Sequence, residues 1–270
     1  GRTWSPAPSG SSGDLNGVSV AGAKGGIAGA NGTILGTRDA GARWTLQTRG
    51  PRTHLAALHS VDPRTAWAAG DQGTVLRTTD GGASWSALGA ESGASFRGIW
   101  FSDAQTGTVV GFGGIIRRTL TGGETWFQLP IETGAQLTAV RFVDALIGTV
   151  VDVEGAAHST MSAGDTWVSR SIGSGAPLLG ADYFDPRTAT IVGASGAIFR
   201  TEDGGGEWTD QSGWTTNDLY AVSSTGEDAA VAVGDLGTVL FTDDGGETWT
   251  LASANRLLRP REGPERCRLR

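Results

Sequence analysis

Short apolar runs rich in β-branched and aromatic residues recur along the whole chain, and glycine-containing turns separate them. In one stretch the runs cover residues 96–101, 108–111, 114–119 and 126–129, which predicts four short strands in succession. No window keeps an apolar period of 3.6 residues, so helices should be nearly absent. The pattern indicates an all-β protein.

The four predicted strands belong to a repeat of constant length. Six tryptophans follow one another at intervals of 41 residues, and a glycine lies twelve residues before each of them. A second glycine lies fifteen residues before five of the six, and Asp152 replaces it in the fourth copy. Four strands in about 41 residues match the blade of a β-propeller. We therefore predict one β-propeller domain over residues 1–254 with six full repeats, marked by Trp44, Trp85, Trp126, Trp167, Trp208 and Trp249.

Each repeat tryptophan ends a recurrent turn of the form Thr-x-Asp-x-Gly-x-x-Trp. An aspartate that accepts hydrogen bonds from the following backbone N–H groups stabilises such a turn, and glycine permits its left-handed residue. One carboxylate per turn is too few ligands for calcium, so a structural role is expected. Thr121 and Ser162 replace the acid in two copies and keep an acceptor oxygen. We predict that the tryptophans pack between blades and that the structural acids are Asp39, Asp80, Asp203 and Asp244.

This turn resembles the Asp-box, or BNR repeat, of sialidases, xyloglucan-cleaving glycosidases, sortilin-type receptors and photosystem II stability and assembly factors. The regular combination of Leu137-Thr-Ala-Val140-Arg-Phe142 with Gly196-Ala-Ile198 and the box resembles the photosystem II assembly-factor repeat over residues 15–251. That family comprises proteins of cyanobacteria and chloroplasts and their bacterial relatives. The resemblance implies a non-enzymatic, monomeric propeller without cofactor. It also implies a membrane-complex subunit as protein client and an exported location, in the periplasm or thylakoid lumen.

The same resemblance implies a ring of seven blades, which an N-terminal strand closes. Trp4 lies 40 residues before Trp44, at the end of what reads as another box. We therefore expect an orphan N-terminal strand beside the six full repeats, and a longer protein with a seven-bladed ring.

Charge and composition narrow the possible partners. The chain carries 21 basic and 28 acidic residues, a net charge of −7. Six arginines lie in residues 255–270, which we predict to be a basic, disordered tail. An acidic propeller is a poor binder of nucleic acid, and no apolar stretch is long enough to insert in a membrane. The single cysteine, Cys267, has no internal partner for a disulfide.

Five arginines are candidate partner-binding residues, because a guanidinium can grip a carboxylate or a peptide. Two of them belong to predicted first strands, which surround the channel of a propeller. The other three occupy one equivalent position of the third strand in three blades. Structural ion pairs with neighbouring aspartates are the alternative reading. The five are Arg97, Arg141, Arg77, Arg118 and Arg200.

Two further classes of function stay open. A sialidase-like or other Asp-box glycosidase needs a tyrosine nucleophile or a pair of acids, and the candidates are few: Tyr183, Tyr220, Asp103, Asp144, Asp182 and Asp185. A structural or adhesive module of a larger secreted protein is the other class. The three histidines, His54, His59 and His158, lack metal-ligand spacing, and no serine elbow or phosphate loop is present. We predict no catalytic, cofactor-binding or metal-binding residue.

Overall fold

A computed structural model describes residues 7–49, 52–89 and 93–252, which fold into six antiparallel sheets of four strands each. Blade 1 contains β1 (Leu15–Ala21), β2 (Lys24–Gly29), β3 (Thr33–Thr37) and β4 (Thr45–Arg49). Blade 2 contains β5 (Leu55–Ser60), β6 (Ala66–Gly70), β7 (Thr74–Thr78) and β8 (Ser86–Gly89). Blade 3 contains β9 (Phe96–Phe101), β10 (Gly107–Gly111), β11 (Ile116–Thr119) and β12 (Phe127–Gln128).

The second half of the chain repeats the arrangement. Blade 4 contains β13 (Leu137–Phe142), β14 (Gly148–Asp152), β15 (Ala156–Thr160) and β16 (Val168–Ser171). Blade 5 contains β17 (Leu178–Tyr183), β18 (Ala189–Gly193), β19 (Ile198–Thr201) and β20 (Thr209–Asp210). Blade 6 contains β21 (Leu219–Ser224), β22 (Ala230–Gly234), β23 (Val239–Thr242) and β24 (Thr250–Leu251).

These six blades confirm the prediction of an all-β propeller with six full repeats of four strands each. Each sheet joins its four strands in chain order. Helix in the described part of the chain is confined to four single turns of 3-10 helix between the second and third strands of blades 1, 3, 5 and 6. The predicted orphan strand near Trp4 and the basic tail at 255–270 lie outside the described residues.

The core lies between blades, because neighbouring sheets bury apolar side chains against each other. Val192 and Ile198 of blade 5 form one cluster with Leu219, Ala232 and Leu240 of blade 6. Equivalent clusters join each remaining pair of consecutive blades. A repeat tryptophan lies at each of these interfaces and packs against the cluster; the residues are Trp85, Trp126, Trp167, Trp208 and Trp249.

The outer faces of the first and last blades are more exposed than these interfaces. Val233 of blade 6 is 36% exposed, whereas its equivalent Val192 in blade 5 is fully buried. On blade 1, Val18 and Val20 are 62% and 51% exposed. The buried apolar area of the described residues therefore comes from five blade–blade interfaces.

The glycine that ends the second strand is required by a close backbone approach. A Cβ atom on Gly70 would lie 1.9 Å from the backbone oxygen of His54, and the same clash would occur at Gly111 and Gly234. Blade 4 is different, since Asp152 occupies this position and its carboxylate accepts hydrogen bonds from the backbone N–H groups of Glu154 and Ala156, both at 2.9 Å. In blade 4 the hydrogen bonds of an acid side chain thus stabilise the turn that follows glycine in the other blades.

Candidate functional site

The first strands of consecutive blades contact one another, so they line the central channel. We call the end of the propeller with the turns between second and third strands the turn end, and the end with the Asp-boxes the box end. Near the turn end, every first strand carries a β-bulge, which leaves one extra residue per blade. Bulges re-aim side chains and are frequent beside functional sites. The six bulged residues are Asn16, Ala56, Arg97, Thr138, Leu179 and Tyr220.

Arg97 is the bulged residue of blade 3, and its side chain is positively charged. Its Nη1 lies 2.8 Å from Asp71 Oδ1 and donates to the backbone oxygen of Phe96, also at 2.8 Å. The guanidinium carbon lies 4.5 Å from the ring centroid of Phe112, a cation–π contact. A guanidinium has five N–H donors, and both of these bonds come from Nη1. Arg97 is therefore held in place and keeps donors for a ligand.

Exposed apolar side chains accompany Arg97 at the turn end. Phe112 is 46% and Leu236 82% exposed, and both lie in turns between second and third strands. Tyr220, half exposed, donates its hydroxyl proton to Asp235 Oδ1 at 2.9 Å, and this bond raises the pKa of the phenol. Arg97 and Phe112 form one part of this surface in blade 3, and Tyr220 and Leu236 form a separate part in blade 6. We call the two parts together the turn-end patch.

Three residues further along the first strands, polar side chains form ion pairs and hydrogen bonds between blades. We call this set, Arg141, Asp182 and His59, the second ring. Arg141 Nε lies 2.7 Å from Asp182 Oδ1, although the N–H makes no well-directed hydrogen bond to it. Asp182 Oδ2 accepts the N–H of Ser224 at 2.8 Å, and burial raises its pKa while Arg141 opposes the rise. Burial and, to a lesser extent, the charge of Arg141 lower the pKa of His59 to about 3. The imidazole is therefore neutral, and its Nδ1 accepts a hydrogen bond from the backbone N–H of Phe101. The second ring connects neighbouring blades.

Arg77, Arg118 and Arg200 reach from the third strand of one blade toward the next. Arg118 donates to the backbone oxygens of Ala163 and Ala145, and Arg200 donates to that of Glu227 at 2.8 Å. Arg77 lies over the ring of Trp67 at 5.5 Å. The contacts of Arg118 and Arg200 brace neighbouring blades, whereas the contact of Arg77 with Trp67 lies within blade 2.

The five candidate arginines therefore do not form one cluster. Arg97 lies near the start of its first strand and Arg141 near the end of its own, about 10 Å apart along the strand direction at about 3.3 Å per residue. The other three lie on third strands just before the Asp-boxes. Arg97 alone combines partial exposure with neighbouring exposed apolar side chains, and the role of all five in partner binding stays a prediction.

The Asp-boxes form a closed set of local hydrogen bonds. In blade 2, Thr78 donates its hydroxyl to Asp80 Oδ1 at 2.8 Å, while its oxygen accepts the N–H of Gly82 at 2.9 Å. Asp80 Oδ1 also accepts the N–H of Ser84 at 2.9 Å. The hydroxyls that replace the acid in blades 3 and 4 accept the matching N–H groups, as Thr121 does from Thr125 at 2.9 Å. In all four boxes that keep the acid, Oδ1 of the aspartate accepts hydrogen bonds from within the turn.

The acids and tyrosines considered for a glycosidase each have hydrogen-bond partners within the fold. Asp103, Asp144 and Asp185 each accept two backbone N–H groups in the turn between first and second strands, a local structural role. The Tyr183 hydroxyl is buried and lies 2.5 Å from Thr149 Oγ1. Within the described ranges no group of three metal-ligating side chains occurs, and no helix is long and apolar enough to span a bilayer.

Sequence reasoning missed one connected set of side chains in blade 4. His158 Nε2 lies 3.0 Å from Asp152 Oδ2, and His158 Nδ1 lies 2.8 Å from Ser169 Oγ. Asp152 and His158 were visible as two departures from the repeat, six residues apart in one blade. The bulges were also missed, because only strand pairing reveals the extra residue.

Comparison with known proteins places the chain among propellers. A family model described as "Photosynthesis system II assembly factor YCF48" matches residues 1–99 and 51–174. A sequence search of curated proteins found no match.

Solved structures of similar fold include "YCF48 bound to D1 peptide", with 21% identity and a TM-score of 0.68 over 84% of this chain and 76% of that chain. YCF48 from Cyanidioschyzon merolae has 17% identity and a TM-score of 0.59, covering 90% and 98%. The GH74 enzyme of Niastella koreensis has 14% identity and a TM-score of 0.72, covering 88% and 45%. At these identities the likeness concerns the fold.

Proposed function

The chain belongs to the photosynthesis system II assembly factor YCF48 family, and we propose that it is a propeller that binds a segment of a photosystem II subunit as its client without catalysing a reaction on it. Among the proteins of similar fold, one YCF48 is bound to a D1 peptide. The polypeptide would act on the lumenal or periplasmic side of the membrane, where such a client exposes its extramembrane segments.

The observation that carries this proposal is the turn-end patch. Phe112 and Leu236 expose apolar surface, and Arg97 beside Phe112 keeps Nε and Nη2 for a carboxylate. An extended peptide offers both chemistries at once, apolar side chains and a carboxylate from an acidic residue or its C-terminus. Arg97 is fixed before binding by Asp71, so little side-chain entropy is lost on complex formation.

Binding of a fluorescent D1 peptide, measured by anisotropy at two salt concentrations, tests the proposal. The Arg97→Ala variant should bind at least about tenfold more weakly, as expected for loss of a charge-assisted bond of about 1.5–3 kcal/mol. Arg38→Ala, which removes an exposed arginine at the box end, is the matched control and should bind like the parent chain. Equal affinities of the two variants, or no binding by the parent chain, would contradict the proposal.

A further inference from the structure

Blade 4 holds an aspartate, a histidine and a serine joined by side-chain hydrogen bonds, a combination that no other blade contains within the described residues. Asp152 and His158 are buried, with 1% and 2% exposure, whereas Ser169 is exposed on the outer strand β16. Ser169 is the strand partner of His158. The set therefore runs from the interior of the blade to its surface.

The charges of the three groups fix the direction of the bonds. The Asp152 carboxylate also accepts two backbone N–H groups, so it is an acceptor and His158 Nε2 must donate to it. In the neutral imidazole, Nδ1 then carries the lone pair and accepts the hydroxyl proton of Ser169 at 2.8 Å. A serine whose proton points at a histidine, itself oriented by a buried carboxylate, is the arrangement of an activated nucleophile.

The two buried members replace repeat residues as a pair. Asp152 stands where Gly193 stands in blade 5, and His158 stands where Leu76 and Leu240 stand in blades 2 and 6. A buried acid without a partner would be costly, and so would an unpaired histidine. The turn itself needs only Asp152 Oδ1, so its requirements do not explain the histidine or its second bond to Ser169.

We propose that Ser169 is a nucleophile, with His158 as its general base and Asp152 as a positioning residue, and that it reacts with carboxylic esters presented at the surface. Ser169 Oγ would form a bond to the ester carbonyl carbon while its proton passes to His158 Nδ1. The C–O bond to the alcohol then breaks, and the alkoxide leaves with that proton as the alcohol. Water, deprotonated by the same base, hydrolyses the acyl-serine and restores Ser169. This chemistry goes beyond client binding at the turn-end patch.

A fluorophosphonate probe tests the nucleophile without requiring the natural ester. Its P–F bond breaks as the Ser169 Oγ–P bond forms, fluoride leaves, and the proton passes to His158. The full chain should gain one adduct, mapped to Ser169 by peptide mass analysis, and Ser169→Ala should abolish it. Ser171→Ala removes another exposed serine of β16 and should leave the adduct unchanged.

Two further variants separate activation from mere exposure. The double variant Asp152→Gly with His158→Leu introduces the residues found in blades 2 and 6, so it should fold, yet it should label at least about 100-fold more slowly, as expected for loss of a general base. Asp152→Asn keeps the shape of the acid and should also slow labelling. The proposal is overturned if Ser169 labels no faster than Ser171, or if the double variant labels at the rate of the parent chain.

Discussion

Trp67 offers the sharpest test of how the blades are held together. Its fully buried ring lies 3.6 Å from that of Phe101 in blade 3, centroid to centroid and nearly parallel, and its Nε1 donates to the backbone oxygen of Gly122 at 2.9 Å. Trp67→Phe would leave that buried carbonyl without its donor, at about 1–3 kcal/mol. The smaller ring would lose about 1 kcal/mol of apolar burial. We expect a loss of about 2–4 kcal/mol in the free energy of unfolding.

Thermal unfolding followed by circular dichroism measures this loss. For a chain of this size the expected change lowers the unfolding midpoint by about 5–15 °C. Trp214→Phe is the matched control, because Trp214 is 43% exposed and its replacement should change stability by no more than about 0.5 kcal/mol. Equal midpoints for the two variants would refute the reasoning that the contacts of Trp67 with blade 3 stabilise the propeller.

Two other predictions concern the turns. Gly70→Ala should lower the unfolding midpoint, because its Cβ would lie 1.9 Å from the His54 oxygen. Gly89→Ala is the control and should be tolerated, because a Cβ on Gly89 has nothing within 4 Å. Similar midpoints for the two variants in a melting experiment would contradict this prediction. Hydrogen bonds from the Thr248 hydroxyl and N–H and from Thr242 lower the pKa of Asp244 to about 2 from an ordinary 3.8. Its contribution to stability is therefore complete above about pH 4 and is lost as pH falls toward 2. The midpoint of Asp244→Asn should depend less on pH over that range, and parallel pH curves for variant and parent would argue against it.

The sequence was sufficient for the architecture because a propeller repeats its constraints. The positions of Trp85 and Gly73 are occupied by tryptophan and glycine, with the same spacing, in all six repeats. The sequence therefore indicates the same turn and the same packing position six times. The candidate site depended on features without such a period. The bulge that re-aims Arg97 is visible only in strand pairing, and the contact of Arg97 with Asp71 joins two blades.

The contacts of Arg118 are an example of what could not be predicted from the sequence. In the sequence it resembled a free cation at a repeated position, whereas in the fold it donates to backbone oxygens of the next blade. Which surface an arginine reaches depends on the following blade, whose placement a one-dimensional pattern does not contain. The set formed by Asp152, His158 and Ser169 was missed because strand pairing within blade 4, which the sequence does not show, brings Ser169 beside His158.

Photo-crosslinking of the D1 peptide tests most directly whether a client binds at the turn end. A benzophenone amino acid would replace Leu236 at the turn end in one variant and Leu146 at the box end in another; the two side chains are 82% and 55% exposed. We expect an adduct with the peptide at position 236 that excess unlabelled peptide suppresses, and none at position 146. Crosslinking at position 146 instead of 236 would contradict it.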